Sequence, residues 1–128
     1  MENYKELLEA LMISNKNVRF SAICTLKGEM LFQKRREDIK SLFTLDETKS
    51  QLEKTIDSWK SRGDIKDKIG KPLYSITSYE KIKRITIPID EEYLLFISMD
   101  NNDKESEKFS KITIKNISAL LENDPTKS

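Results

Sequence analysis

A chain of 128 residues is long enough for one domain with one modest core. Apolar residues make up 37% and charged residues 35%, so the surface is strongly charged, yet a formal net charge of +1 gives no general pull toward nucleic acid or an anionic membrane. With no histidine and a single cysteine, the chain has no Ser-His or Cys-His nucleophile pair, no internal disulfide and no zinc site of the usual kind.

Further exclusions follow from the order of the residues. Three glycines do not supply a P-loop or a GxGxxG loop. The longest apolar runs, such as Tyr93–Met99, fall far short of a membrane span. The first residues, MENYKELLEA, have no basic region followed by an apolar one, so no signal peptide is expected. The lone Cys24 fits a reduced, cytoplasmic location.

Glu2–Ser14 is predicted to be a helix with Asn3 as N-cap. Tyr4, Leu7, Leu8, Leu11 and Met12 recur at i, i+3, i+4, i+7 and i+8 and form one apolar stripe. Val18–Leu26 alternates as a strand, with Val18, Phe20, Ala22, Cys24 and Leu26 on one face and Arg19, Ser21, Ile23 and Thr25 on the other. Lys27-Gly28-Glu29 is a tight turn in which Gly28 supplies a positive φ. Met30–Lys34 returns as a strand and runs into Lys34-Arg35-Arg36, a charged end that suits a sheet edge.

Glu37–Leu45 is a connection whose Ile39, Leu42, Phe43 and Leu45 tuck under the next helix. That helix runs from Glu47 to about Arg62 with Asp46 as N-cap, carries Leu52, Ile56 and Trp59 on one stripe, and ends at Gly63. Asp64–Ile69 is a further helical turn capped by Asp64, closed off by Gly70 and Pro72. Leu73–Tyr79 reads as a strand of poor alternation.

Lys81–Met99 is a hairpin around the acidic turn Asp90-Glu91-Glu92. Its first strand puts Lys83, Ile85, Ile87 and Ile89 on one face and Ile82, Arg84, Thr86 and Pro88 on the other, and pairing weakens at Pro88. Its second strand is apolar on both faces, with Tyr93, Leu95, Ile97 and Met99 on one side and Leu94 and Phe96 on the other. Such a strand belongs in the middle of a sheet with helices above and below. Asp100–Glu107 is a polar link, Phe109–Glu122 a final helix, and Asn123–Ser128 a flexible tail after a domain spanning 1–122. The order is α-β-β-α-β-β-β-α in an α+β fold.

Without a histidine, and with the carboxylates of Asp90, Glu91 and Glu92 on a turn, no catalytic role is expected, and no cofactor or metal. An interaction surface is the remaining prospect. Lys34, Arg35 and Arg36, together with Lys81, Lys83 and Arg84, are the densest positive charge; arginine forks match carboxylate and phosphate geometry, while a solvated strand end is the plainer explanation. Trp59 serves either as an interface anchor or, at helical spacing with Leu52 and Ile56, as core. Cys24, on the apolar face of its strand, is a buried small hydrophobe. Arg62-Gly63-Asp64 spells an integrin-type tripeptide by chance, since Gly63 is accounted for by helix termination.

The element order resembles the roadblock/profilin-like group, in which a long helix crosses between the second and third strands of a five-stranded antiparallel sheet. More closely, VRFSAICTLKGEM (Val18–Met30), SWKSRGDIKDKIGKPLYSITSYEKIKRITIP (Ser58–Pro88) and YLLFISMD (Tyr93–Asp100) resemble a family of uncharacterised archaeal proteins found notably among ammonia-oxidising archaea; Tyr79–Pro88 is the most distinctive part. The resemblance implies the strand order second, first, fifth, fourth, third, with the terminal helices on one face and the Glu47–Arg62 helix on the other. It carries over no catalytic residue. Roadblock-like domains usually pair, and several scaffold or regulate small GTPases, so it implies a homodimer or a related domain as partner. The first hairpin lacks the small, glycine-rich residues of that group, and Lys34-Arg35-Arg36 alters the surface there.

The leading expectation is a non-catalytic interaction or scaffold module that dimerises through the Glu47–Arg62 helix and the Leu73–Tyr79 edge. The alternative is a PAS-like small-molecule sensor with its ligand between the sheet and that helix.

Overall fold

The computed structural model describes residues 2–36, 43–101 and 115. In chain order the elements are α1 (Glu2–Ser14), β1 (Val18–Thr25), β2 (Met30–Arg35), α2 (Leu45–Gly63), the short α3 (Lys66–Ile69), β3 (Ser75–Ser78), β4 (Ile82–Pro88) and β5 (Tyr93–Asp100). The predicted final helix, apart from Lys115, and the predicted tail lie outside the described residues, as do Glu37–Leu42 and the side chains of Asn3 and Leu45.

The strands form one antiparallel five-stranded sheet in the order β2-β1-β5-β4-β3. The interior strand β5 is apolar on both faces, as the sequence predicts. Leu95, Ile97 and Met99 pack with Leu7, Leu8 and Leu11 of α1 and with Ile85, Ile87 and Ile89. On the opposite face Leu94, flanked by the partly buried Phe96, packs with Leu52, Ile56 and Trp59 of α2 and with Ala22 and Cys24. Each large aliphatic side chain taken fully out of water stabilises by about 1.5–3 kcal/mol. Leu94, Leu95, Ile97 and Met99, all at or below 1% exposure, make β5 the largest single contributor among the strands.

β1 departs from simple alternation. Val18 pairs with Met99 and Phe20 with Ser98, so Arg19 is an extra residue on β1. This bulge flips the start of the strand: Val18 joins the α1 cluster instead of lying beside Phe20, Ala22 and Cys24, and Arg19 turns to the α2 face, where Nη1 donates to Asp100 Oδ1 at 2.6 Å. A second bulge sits on β2. Ile23 pairs with Phe32 and Cys24 with Met30, leaving Leu31 extra and sending Phe32 and Met30 to opposite clusters.

The ends of α2 also differ from expectation. Thr44, not Asp46, is the N-cap, and the helix starts at Leu45. Thr44 Oγ1 accepts from Glu47 N at 3.1 Å, and Glu47 Oε1 accepts from Thr44 N at 3.0 Å. Thr-Leu-Asp-Glu is a reciprocal capping box, which satisfies two backbone donors where Asp46 would satisfy one. At the far end Asp64 is the C-cap of α2, and α3 begins after Ile65 with no side-chain cap, so Asp64 does not cap the second turn. Gly70, at φ +90°, then turns the chain, and Gly28, at φ +97°, does the same in the first hairpin. In the last hairpin Asp90 Oδ1 accepts from Glu92 N and Tyr93 N, which fixes the acidic turn.

Replacing Thr44 by alanine is expected to lower the unfolding free energy by about 1 kcal/mol in urea titrations. The backbone and side-chain hydrogen bonds of Thr44 hold the Glu47 carboxyl below its usual pKa. That contribution is present above the ordinary glutamate range and lost as pH falls through the lowered value; alanine at position 44 keeps the backbone N–H from which Glu47 accepts, so it is the Glu47→Ala difference that should shrink in acid. A difference independent of pH would contradict the reciprocal box.

Candidate functional site

Of the residues singled out for an interaction surface, Arg35, Leu52 and Arg84 meet around one hollow, and the others are dispersed. Leu52, Ile56 and Trp59 are buried beneath α2, against the sheet of their own chain. Lys34 is exposed on β2, with Nζ 3.5 Å from Glu9 Oε1. Arg35 lies with its guanidinium 5.2 Å from the centre of the Phe20 ring. Lys81 is exposed ahead of β4, Lys83 is buried at 3% exposure, and Arg84 is on the α2 face.

Arg36 is engaged inside the chain. Its Nε donates to Val18 O at 2.9 Å, and Nη2 donates to Met12 O at 2.9 Å and Asn15 O at 3.1 Å. The last turn of α1 has no basic residue of its own, so Arg36 supplies a positive charge and donors to its orphan carbonyls. It ties the end of α1 to the start of β1.

Arg84 is the positive residue with the most elaborate surroundings. Its guanidinium carbon lies 4.7 Å from the Phe43 ring centre and 5.5 Å from that of Tyr79, and Nη1 donates to Gln51 Oε1 at 2.9 Å. The sequence puts Phe43 in the connection under α2 and Tyr79 at the end of the predicted Leu73–Tyr79 edge, and joins neither ring to Arg84. Arg84 stands where two hollows meet. One, about 100 Å³, lies between the first turns of α2 and the sheet and is walled by Phe20, Ala22, Cys24, Met30, Phe43 and Phe96, with Arg19 and Arg35 at its margin. The other, about 160 Å³, lies between α2 and β3 and is polar, with Lys54, Arg62 and the hydroxyls of Thr55, Ser58, Ser75 and Thr77. Gln51, Thr55, Arg84 and Phe96 belong to both, so the two make one trough along α2.

Cys24 lies in the apolar part of this trough at 0% exposure, and burial pushes its thiol up to about 11. It is a neutral filler, not a nucleophile. Among the described residues no cluster of acidic or cysteine side chains is suited to a metal ion, and no helix is long and apolar enough to cross a membrane.

The two sheet edges are unlike. β2 ends in exposed Gln33, Lys34 and Arg35, charge that discourages strand pairing. β3, Ser75–Ser78, is uncharged and shorter than the predicted Leu73–Tyr79. Leu73 is 73% exposed, and Tyr74, Ile76 and Tyr79 are exposed with it, as are Ile65 and Ile69 on the preceding turn and helix. The poor alternation of Leu73–Tyr79 was the sequence signal of this edge.

This architecture is the roadblock fold, a five-stranded antiparallel sheet with α1 on one face and α2 crossing the other. Among solved structures, "MglB with tetrameric arrangement" superposes with a TM-score of 0.68 at 14% identity, covering 94% of this chain and 89% of that one. The gliding protein MglB from Thermus thermophilus gives 0.66 at 14% identity over 93% and 88%. A Roadblock/LC7 domain from Streptomyces avermitilis gives 0.67 at 6% identity over 92% and 91%. No family model and no curated protein sequence matches the chain.

Arg36→Ala is expected to destabilise by about 2–3 kcal/mol in chemical denaturation, because it removes a charged donor from three carbonyls and leaves Asn15 O with Val18 N alone. A change under 0.5 kcal/mol, taken as about the scatter of neutral surface substitutions, would show that the clamp carries nothing. The Cys24 thiol should resist alkylation at pH 8 in the native protein and react on unfolding. Its raised pKa stabilises the fold fully below pH 9, the ordinary thiol value, and this part is lost as pH climbs toward about 11. Cys24→Ala should flatten that part of the alkaline fall in stability relative to wild type.

Proposed function

We propose that the chain is a non-catalytic interaction module of an archaeal cytoplasm that pairs with a second copy of itself across the β3 edge and the adjoining side of α2. The observation that carries this reading is the contrast between the two sheet edges: β2 is guarded by Lys34 and Arg35, whereas β3 has no charge, carries the exposed Ile76 and is flanked by exposed Leu73, Tyr74 and Tyr79. An uncharged edge strand offers unpaired N–H and C=O groups, and a second β3 laid beside it satisfies them while covering the apolar side chains. Burial of Leu52, Ile56 and Trp59 within the chain leaves only the outer side of α2 to such a partner. One fold neighbour is described as a tetrameric arrangement, which is in keeping with assembly of the fold. The roadblock resemblance adds a small GTPase as a further partner.

Covering four large side chains on each of two copies, each about half exposed, contributes about 6–12 kcal/mol, comparable with the roughly 4–15 kcal/mol that association costs. Strand pairing supplies the surplus, and a micromolar dimer is expected. Sedimentation velocity across the micromolar range should show a concentration-dependent dimer. The double substitution Tyr74→Asp, Ile76→Asp should leave a folded monomer. A wild-type monomer at several hundred micromolar would contradict the proposal.

A second reading, a small-molecule sensor, is favoured by the trough between α2 and the sheet.

A further inference from the structure

We infer that the trough is a binding site for a small amphiphilic anion, with a carboxylate or phosphate monoester head held at Arg84 and a short apolar tail lying between Phe20 and Phe96. The inference rests on the sensor reading and gives it a ligand class.

The charge distribution points to the head. The whole chain is almost balanced, with 23 Lys and Arg against 22 Asp and Glu. The described residues of the trough, however, include Arg19, Arg35, Lys54, Arg62 and Arg84 and no carboxylate. Arg19 meets Asp100, whereas the guanidiniums of Arg35 and Arg84 face aromatic rings. A site of one sign with apolar walls concentrates counter-ions of the other sign.

Arg84 is built to receive an oxyanion. The guanidinium lies over the rings of Phe43 and Tyr79, and Gln51 fixes one end. A guanidinium has five N–H donors in a planar fork, and Gln51 takes a bond from Nη1 alone, so donors remain in the plane for a bidentate acceptor. Because the fork is already positioned, little ordering entropy is lost on binding. Hydroxyls of Ser58, Ser75 and Thr77 stand on the same side to satisfy further oxygens, while that of Thr55 already donates to Gln51 O at 2.9 Å.

The size and lining of the other half define the tail. Its volume is about 100 Å³, while an apolar cavity of about 150 Å³ takes a benzene-sized guest. A chain of a few carbons fits, and a membrane lipid does not. Ala22 and the protonated thiol of Cys24 form a small, uncharged floor.

The test is isothermal titration calorimetry on the full chain with hexanoate, hexyl phosphate, 1-hexanol and inorganic phosphate. Hexanoate or hexyl phosphate should bind at least about tenfold more tightly than hexanol and than inorganic phosphate, and the tighter of the two identifies the head group. Arg84→Gln should weaken binding by about tenfold or more. Arg35→Gln, at an exposed position, should weaken it severalfold with an unchanged Tm, which keeps the test sharp if Arg84→Gln folds poorly. Hexanol binding as well as hexanoate overturns the oxyanion head and leaves the sensor reading with a neutral ligand. Inorganic phosphate binding as well as hexyl phosphate overturns the tail. Affinity unchanged in both arginine variants puts the anion elsewhere and overturns the site. No heat with any of the four probes overturns the inference and the sensor reading together.

Discussion

β5 places apolar side chains on both faces of the sheet and hydrogen-bonds a neighbouring strand along each side. Such a strand is tolerated only where water is excluded above and below. Leu95, Ile97 and Met99 demand a cover, and α1 provides it; Leu94 and Phe96 demand another, and α2 provides that. The long connection from β2 through α2 to β3 follows from the same need, since the chain has to cross the sheet to place a helix on its second face before returning along the far edge.

The two faces are finished to different degrees. On the α1 face the described core is aliphatic and closely covered, and Arg36 locks the end of the helix to the sheet through three carbonyls. On the other face α2 is anchored by Leu52, Ile56 and Trp59, yet it stands off the sheet enough to leave the trough on which Arg84 is mounted. The edges repeat the contrast, one charged and one bare. Stability is therefore concentrated in the middle of the sheet and on the α1 side, and the features open to a partner or ligand lie on the α2 side and at β3. The central strands hold the frame rigid while the periphery supplies recognition.

Much of the frame was legible because period-2 and period-3.6 patterns report burial directly. The stripe Leu7, Leu8, Leu11 located α1, and the double-faced run at Tyr93–Met99 placed β5 inside the sheet. What escaped depends on relations that alternation does not carry. A single inserted residue reverses facing, so the bulge at Arg19 moved Val18 to the other core. The Thr44–Glu47 box was written in the sequence as Thr-x-x-Glu, but Asp46 masked it as an equally good cap by residue type. The basic clusters were visible as charge, yet charge alone does not tell a clamp from a contact. Arg36 turned inward to carbonyls that belong to residues about 20 positions earlier, and Arg84 is defined by Phe43, Gln51 and Tyr79, which no local window joins. Lys83 is buried, although its residue type suggested a surface.

Native-state hydrogen exchange tests the primacy of β5 most directly. If the doubly covered strand holds the fold together, the amides of Leu94–Met99 and of their partners Ala22–Cys24 on β1 should open only with global unfolding, and those of Ser75–Ser78 on β3 at a lower free energy. Amides of β5 that exchange at a lower opening free energy than those of β3 would contradict the account.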